Sequence, residues 1–326
     1  MTQSSTPKTF RRRWTWIVIL FLLVVSVGWT VRELYLHRPM GHGPAGPTID
    51  ADRFRKIGSD RRTLFLALGD SITAGFGAPP GRGYFDLLVQ GHADDATDVQ
   101  NVSLSRLFPK HEAVNIAVSG TNSLQHHDQQ LPTIESQPVD VFGFVFVTTG
   151  GNDLIHWYGR HPPREGAMYG ASLAQAEPWI ERFSQRLDSL IAVLTSKFPG
   201  GCEIYLGNIY DPTDGVGSAW PVQLPEWPDG LTILSRYNAV IDNVAKRHEN
   251  VHVVDLHAAF LGHGLYCRVP WNPHYGSSDP HHWFDTILED PNPRGHDAIR
   301  RLFLLRFAEC QENRSSAHVD SLPITH

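Results

Sequence analysis

From Thr63 onward, short apolar runs alternate with longer stretches in which apolar residues recur every three or four positions. Five runs have strand length: TLFLALG from Thr63, EAVNIAVSG from Glu112, VDVFGFVFVTTGG from Val139, CEIYLGNIY from Cys202 and NVHVVDLH from Asn250. Several are apolar at consecutive positions, the pattern of strands covered on both faces. Between them, helical periodicity puts Ile180, Phe183, Leu187, Leu190, Ile191 and Leu194 on one face. A second helix aligns Leu234, Tyr237, Val240, Ile241 and Val244, and a third opens at Pro293, a residue suited to a first turn. No internal repeat interrupts this order. Strands alternating with helices predict an α/β protein, an open parallel sheet of five strands between two helical layers. In such a sheet the chemistry lies beyond the carboxyl ends of the strands.

Ahead of this pattern, Lys8 and Arg11-Arg12-Arg13 precede an uncharged stretch from Trp14 to Val31. That length is just enough to span a bilayer as a helix, and the basic flank predicts a cytoplasmic N-terminus. Residues 1–13 then read as cytoplasmic and 14–32 as a transmembrane signal anchor. The run around Ser26, Val27 and Gly28 makes a poor cleavage site, so an uncleaved anchor is favoured over a signal peptide. Residues 33–60, rich in Gly and Pro from His37 to Pro47, are predicted to be a linker. The folded domain is expected over 61–312, outside the cytoplasm, and a disordered tail over 313–326.

Composition narrows the function. The chain has 326 residues with a net charge of −6, and basic residues cluster only near the N-terminus, which leaves a nucleic-acid partner without an electrostatic footprint. Three cysteines, Cys202, Cys267 and Cys310, lack metal-ligand spacing; a Cys267–Cys310 bridge and three free thiols are both open readings. Among 18 histidines none falls into an HExxH pattern, so neither a metal nor another cofactor is expected. Oligomeric state leaves no signature.

The strand ends carry the candidate chemistry. FLALGDSITAG places Ser71 after the first strand and at a helix start, where free N–H groups favour developing negative charge. Taken alone, Asp70-Ser71 also reads as a plain helix cap. Gly120 ends the second strand in AVSG, and Gly151-Asn152-Asp153 ends the third. A glycine N–H and an asparagine amide, together with the Ser71 N–H, are the donors that acyl transfer needs around an oxyanion.

These three blocks, in order and at strand ends, resemble the SGNH, or GDSL, hydrolase family over roughly residues 63–310. The resemblance implies a flavodoxin-like three-layer α/β/α sandwich, Ser71 as nucleophile, and an oxyanion hole made by Ser71, Gly120 and Asn152. It also implies a last block of the form Asp-x-x-His-Pro followed by Gly-His. The chain has LEDPNPRGH instead, with Asp290 at the histidine position and Ile287 at the aspartate position. An ordinary carboxylate is too weak a base for this task. The nearby SSDPHHWFD repeats the Asp-x-x-His spacing at Asp279 and His282, which predicts His282 as base and Asp279 as its orienter, with His281 the next candidate. His296 is expected to be structural, and His126, His127 and His156 to shape the pocket. The expected function is a membrane-tethered, extracytoplasmic serine esterase acting on a small-molecule, glycan or lipid ester through an acyl-enzyme. Short-chain or glycan esters are favoured because the sequence shows no long apolar lid. The alternative is an inactive binding module on the same fold, disabled by Asp290.

Overall fold

The computed structural model describes residues 8–286 and 288–320, and within residues 8–11 and 315–320 the backbone alone. Five strands form one parallel sheet: β1 (Arg62–Leu68), β2 (His111–Asn115), β3 (Val141–Thr148), β4 (Cys202–Gly207) and β5 (Val251–Val254), ordered β2-β1-β3-β4-β5. The register runs Phe65 beside Phe144 and Ala113, and Tyr205 beside Phe146.

Period-two alternation divides each central strand between two cores. Phe65, Phe144, Phe146 and Tyr205 face one layer, where Phe303 and Phe307 of α10 (Pro293–Asp320) pack on them beside α3 (Tyr84–Gln90). Leu64, Leu66, Val145, Val147, Ile204 and Leu206 face the other, covered by α7 (Leu173–Ser196) and α8 (Gly230–Ala245). The periodic faces read in the sequence are the ones buried: Phe183, Leu187, Leu190, Ile191 and Leu194 on α7, and Leu234, Tyr237, Ile241 and Val244 on α8. The short helices α2 (Ser71–Ala74), α4 (Leu104–Leu107), α5 (Ser123–Gln125), α6 (Gly151–Ile155) and α9 (Leu256–Phe260) fall in the connections. Of these, α2 and α6 follow β1 and β3 at the carboxyl edge of the sheet.

Three expectations change. The second strand is a short, largely exposed edge rather than a strand buried on both faces, because β1 is its one neighbour in the sheet. The Gly/Pro-rich stretch is not a free tether. It is a strap bound along α10: Asp297 accepts from Ala45 N, Arg301 donates to Pro47 O, and Arg294 donates to Met40 O, Gly43 O and Pro44 O. Ala45, Ile49 and Phe54 are buried there. The backbone of α10 also continues as helix through residues 313–320, where a disordered tail was expected; residues 321–326 lie outside the described residues.

The N-terminal helix α1 (Lys8–Val31) is exposed throughout its apolar stretch, and the span Arg12–Leu36 is long and apolar enough to cross a membrane. Just after α1, Glu33 pairs with Arg268 at 3.0 Å, and the Tyr35 ring packs against Trp220 and Tyr266. The three cysteines are unpaired and buried, so the Cys267–Cys310 bridge does not form.

Candidate active site

Gly69 turns the chain out of β1 at φ 148°, with the backbone so close to β3 that a Cβ would lie 2.4 Å from Thr148 O. That contact fixes Asp70 and Ser71 at the strand end. Asp70 caps α2, accepting from Ile72 N at 3.2 Å and from the Thr148 hydroxyl at 2.8 Å. Asp70 thus caps a short helix, and Ser71 starts that helix on the wall of a cleft. A buried chain of hydroxyls, Tyr84, Thr73 and Thr148, links Asp70 to the core.

Gly120 occupies a turn in which Thr121 N donates to Val118 O, and its φ of 80° is the left-handed conformation required before the closing residue. The turn is held from beneath. Thr121 Oγ1 donates to Val118 O, Gln130 holds both the N–H and the carbonyl of Gly69, and the His126 ring bridges the Thr121 and Thr149 hydroxyls at 3.0 and 2.7 Å. Burial, with Arg186 adding repulsion, pushes the His126 ring down to about 3, so it is a neutral strut. Asn152 on α6 donates through Nδ2 to Thr121 O at 2.8 Å, and Asp153 accepts from both Ser123 N and the Ser123 hydroxyl. Asp153 is thus a loop holder, with its carboxyl raised by burial.

The cleft encloses about 1070 Å³ of open space, including solvent at its mouth, and is mostly apolar. Ser71 and Asn152 line it beside Tyr158, Tyr210, Leu234 and Leu288. Its far wall is the loop from Asp211 to Leu231. Asp214 pins that loop by accepting from the N–H groups of Gly262, Gly264 and Tyr266, and Trp227 anchors its end by donating to Ala171 O. Trp220, the residue that meets Tyr35 of the segment after α1, follows Ala219 of this wall.

No imidazole lines the cleft among the described residues. The predicted Asp279–His282 pair is not assembled at Ser71. His282 is buried with Nδ1 on Gly264 O, and burial pushes its ring down to about 4. His281 pairs instead with Asp279 at 2.5 Å, and Asp279 also receives a two-pronged bond from Arg294. Burial raises the Asp279 carboxyl, but Arg294 and His281 outweigh it and hold it below the ordinary range. This cluster staples the strap to the start of α10: His282 N donates to Pro39 O, and the His281 ring fills the space beside Gly41. The Asp-x-x-His spacing therefore serves a structural purpose here. His296 is structural too, accepting from Tyr84 N and donating to Phe76 O.

Asp290 follows Leu288 and Glu289 of the cleft wall, and a hydrogen bond from the Ser71 side chain is among the influences on its carboxyl. It is buried in the loop before α10, and burial is the first cause that pushes its carboxyl up to about 7; the Ser71 bond works against the rise, while Glu289 and Asp285 add to it. Asp70 is likewise pushed up to about 7 by burial, with Asp290 as a repelling neighbour. Leu288 in this loop has φ 61°, a strained conformation for an apolar side chain, and Tyr210 OH donates to the carbonyl of Glu289. His126 was flagged in the sequence as pocket-shaping, but Gln130 and Asp214 carry no sequence signal at all.

The profile of the GDSL-like lipase/acylhydrolase family matches residues 67–298. Among solved structures, the extracellular lipase of Streptomyces rimosus is 20% identical, with a TM-score of 0.50 over 76% of this chain and 99% of that one. A member of the lipolytic G-D-S-L family from Veillonella parvula is 16% identical, with a TM-score of 0.46 over 75% and 98%. Phospholipase A1 of Streptomyces albidoflavus is 18% identical, with a TM-score of 0.44 over 77% and 100%. At these identities the likeness concerns the fold. A comparison with curated proteins finds no match.

Proposed function

The chain belongs to the GDSL-like lipase/acylhydrolase family, and on that premise we propose that it is a membrane-tethered, extracytoplasmic serine esterase that hydrolyses carboxylic esters through an acyl-enzyme on Ser71. The observation that carries this reading is the placement of Ser71 at a helix start in an apolar cleft shared with Asn152. The Asn152 amide spends one N–H on Thr121 O, which leaves the second for an oxyanion. The Ser71 and Gly120 N–H groups are the other donors, and the neutral His126 strut keeps their turn rigid without adding charge.

An acyl chain or other apolar group fits the side of the cleft walled by Leu234, Leu288 and Tyr158. The docking of Tyr35 on Trp220 supports a mouth near the membrane surface, because the apolar span ends at Leu36. A lipid ester is therefore favoured over a glycan ester.

Fluorophosphonate labelling of the full chain in detergent tests this. Labelling of the wild type and its loss in Ser71→Ala support the esterase. No labelling of the wild type favours the second reading, a binding module on the same fold, which rests on the absence of an imidazole among the described cleft residues.

A further inference from the structure

The Ser71 hydroxyl has a titratable partner in Asp290, and the histidines around it are committed elsewhere. His296 uses both ring nitrogens on backbone groups, His282 binds Gly264 O, and His281 binds Asp279. Asp290 Oδ1 is buried with no hydrogen-bond partner among the described residues, and the two residues before it, Leu288 and Glu289, line the cleft together with Ser71. We infer that Asp290 is the general base for Ser71, a serine–carboxylate dyad standing where the family has an imidazole. This rests on the esterase reading above.

The usual objection to a carboxylate here is that a group ionising near 4 holds a proton too weakly. The surroundings of Asp290 remove it. The charged groups facing it are Asp70 from the turn after β1, and Glu289 and Asp285 from its own loop. All are acidic, and each opposes a second negative charge. The phenols of Tyr210 and Tyr158 border the same loop, both displaced upward by burial first and by these carboxyls as well. Desolvation and like charge act in the same direction, and the carboxyl is pushed up to about 7. At that value it is a usable base in neutral solution and a usable acid once protonated.

The step balances without another cofactor. As the Ser71 oxygen bonds to the ester carbonyl carbon, its proton passes to the Asp290 carboxylate. Collapse of the tetrahedral species breaks the bond to the alcohol oxygen, which takes the proton from Asp290. Water then attacks the acyl-enzyme, giving its proton to Asp290, and Ser71 recovers a proton as the acid leaves. The strained Leu288 backbone and the Tyr210 bond to Glu289 hold the loop that carries the carboxyl.

Full-length protein in detergent micelles, assayed on p-nitrophenyl butyrate across pH 4 to 9, decides the matter. The expected wild-type kcat/KM rises with pH to half its plateau near 7, Asp290→Asn loses about 100-fold or more, and Asp290→His keeps turnover within about tenfold because an imidazole supplies the same proton relay. Asp290→Asn with wild-type turnover overturns the dyad while leaving the esterase intact, as does loss of turnover confined to His281→Ala or His282→Ala. Should Asp290→Asn fail to fold by circular dichroism, the profile still judges: a midpoint near 4 overturns the assignment, and a midpoint near 7 that survives in Asp290→Glu upholds it. A wild type that neither turns over nor takes fluorophosphonate removes the esterase reading, and the dyad falls with it.

Discussion

In the cleft that holds Ser71, the turns after β2 and β3, proposed to supply the oxyanion donors, are tied down by buried, neutral groups. His126, Gln130 and Thr121 each bridge two parts of the backbone or two hydroxyls, and Asn152 is locked to Thr121 O. On the other side, the loop before α10 carries four acidic or strained features in six residues: Asp285, Leu288, Glu289 and Asp290. Its Asp290 carboxyl has one oxygen unpartnered among the described residues. The first side is built for fixed dipoles, which cost nothing to reorganise when charge develops. The second stores unfavourable electrostatics, which is what raises the proton affinity of a carboxyl.

The largest effect should come from the rigid side. Asn152→Ala removes the amide donor and is expected to lower kcat by about 10²–10³-fold with little change in KM, since the lost interaction forms as the oxyanion does. Steady-state kinetics on a p-nitrophenyl ester checks it. A rise in KM at constant kcat would make Asn152 a substrate contact and break the proposed division of labour. Asn152→Asp should be at least as damaging, because it sets a negative charge against the oxyanion.

A smaller effect separates the stapled histidines from the chemistry. Arg294→Ala cuts the two-pronged bond to Asp279 and three bonds to the strap, at Met40 O, Gly43 O and Pro44 O. Truncating one partner of a partly buried ion pair is expected to cost about 1–3 kcal/mol of stability, read as a lower melting temperature. Because the staple does not touch the cleft, kcat at a temperature where the variant is folded should be unchanged. A fall in kcat of tenfold or more would mean that Asp279 and His281 act on the reaction after all, and the contrast drawn here would fail.

The two sides also differ in how far the sequence reveals them. The five strands, the two long helices with their buried faces, and the Ser71, Gly120 and Asn152 positions follow from local rules: periodicity, strand ends and turn glycines. Each needs only neighbouring residues to be recognised. Asp279 and His282 have the right spacing for a dyad, yet spacing along a loop says nothing about which direction that loop faces. The strap from His37 to Pro47 decides it, because its carbonyls claim Arg294 and the His282 N–H from a distance of more than 200 positions in the chain. The strap itself is Gly- and Pro-rich like a tether, and its folded state depends on partners in α10 that no local pattern announces. Likewise an aspartate before a proline looks like a lost histidine until Glu289, Asp285 and Asp70 are seen around it.

The finest test concerns stability alone. A carboxyl raised from 3.8 to about 7 in the folded state binds its proton more tightly there than in the unfolded chain. Its contribution is therefore fully present below about 4 and is lost as pH rises through about 7. Replacing it by the neutral amide in Asp290→Asn removes that penalty. The variant should match the wild type at pH 4 and exceed it progressively up to pH 7, with a gain on the order of 4 kcal/mol that stays level above. Asp70 carries a raised carboxyl of the same kind and repels Asp290, so part of the gain comes from letting Asp70 ionise more readily. Urea unfolding at pH 4, 5.5, 7 and 8 measures the trend. A pH-independent gain would point to better packing of the amide, and a loss that deepens with pH would require a cation beside Asp290; either result would separate the acidic loop from the proton affinity assigned to it.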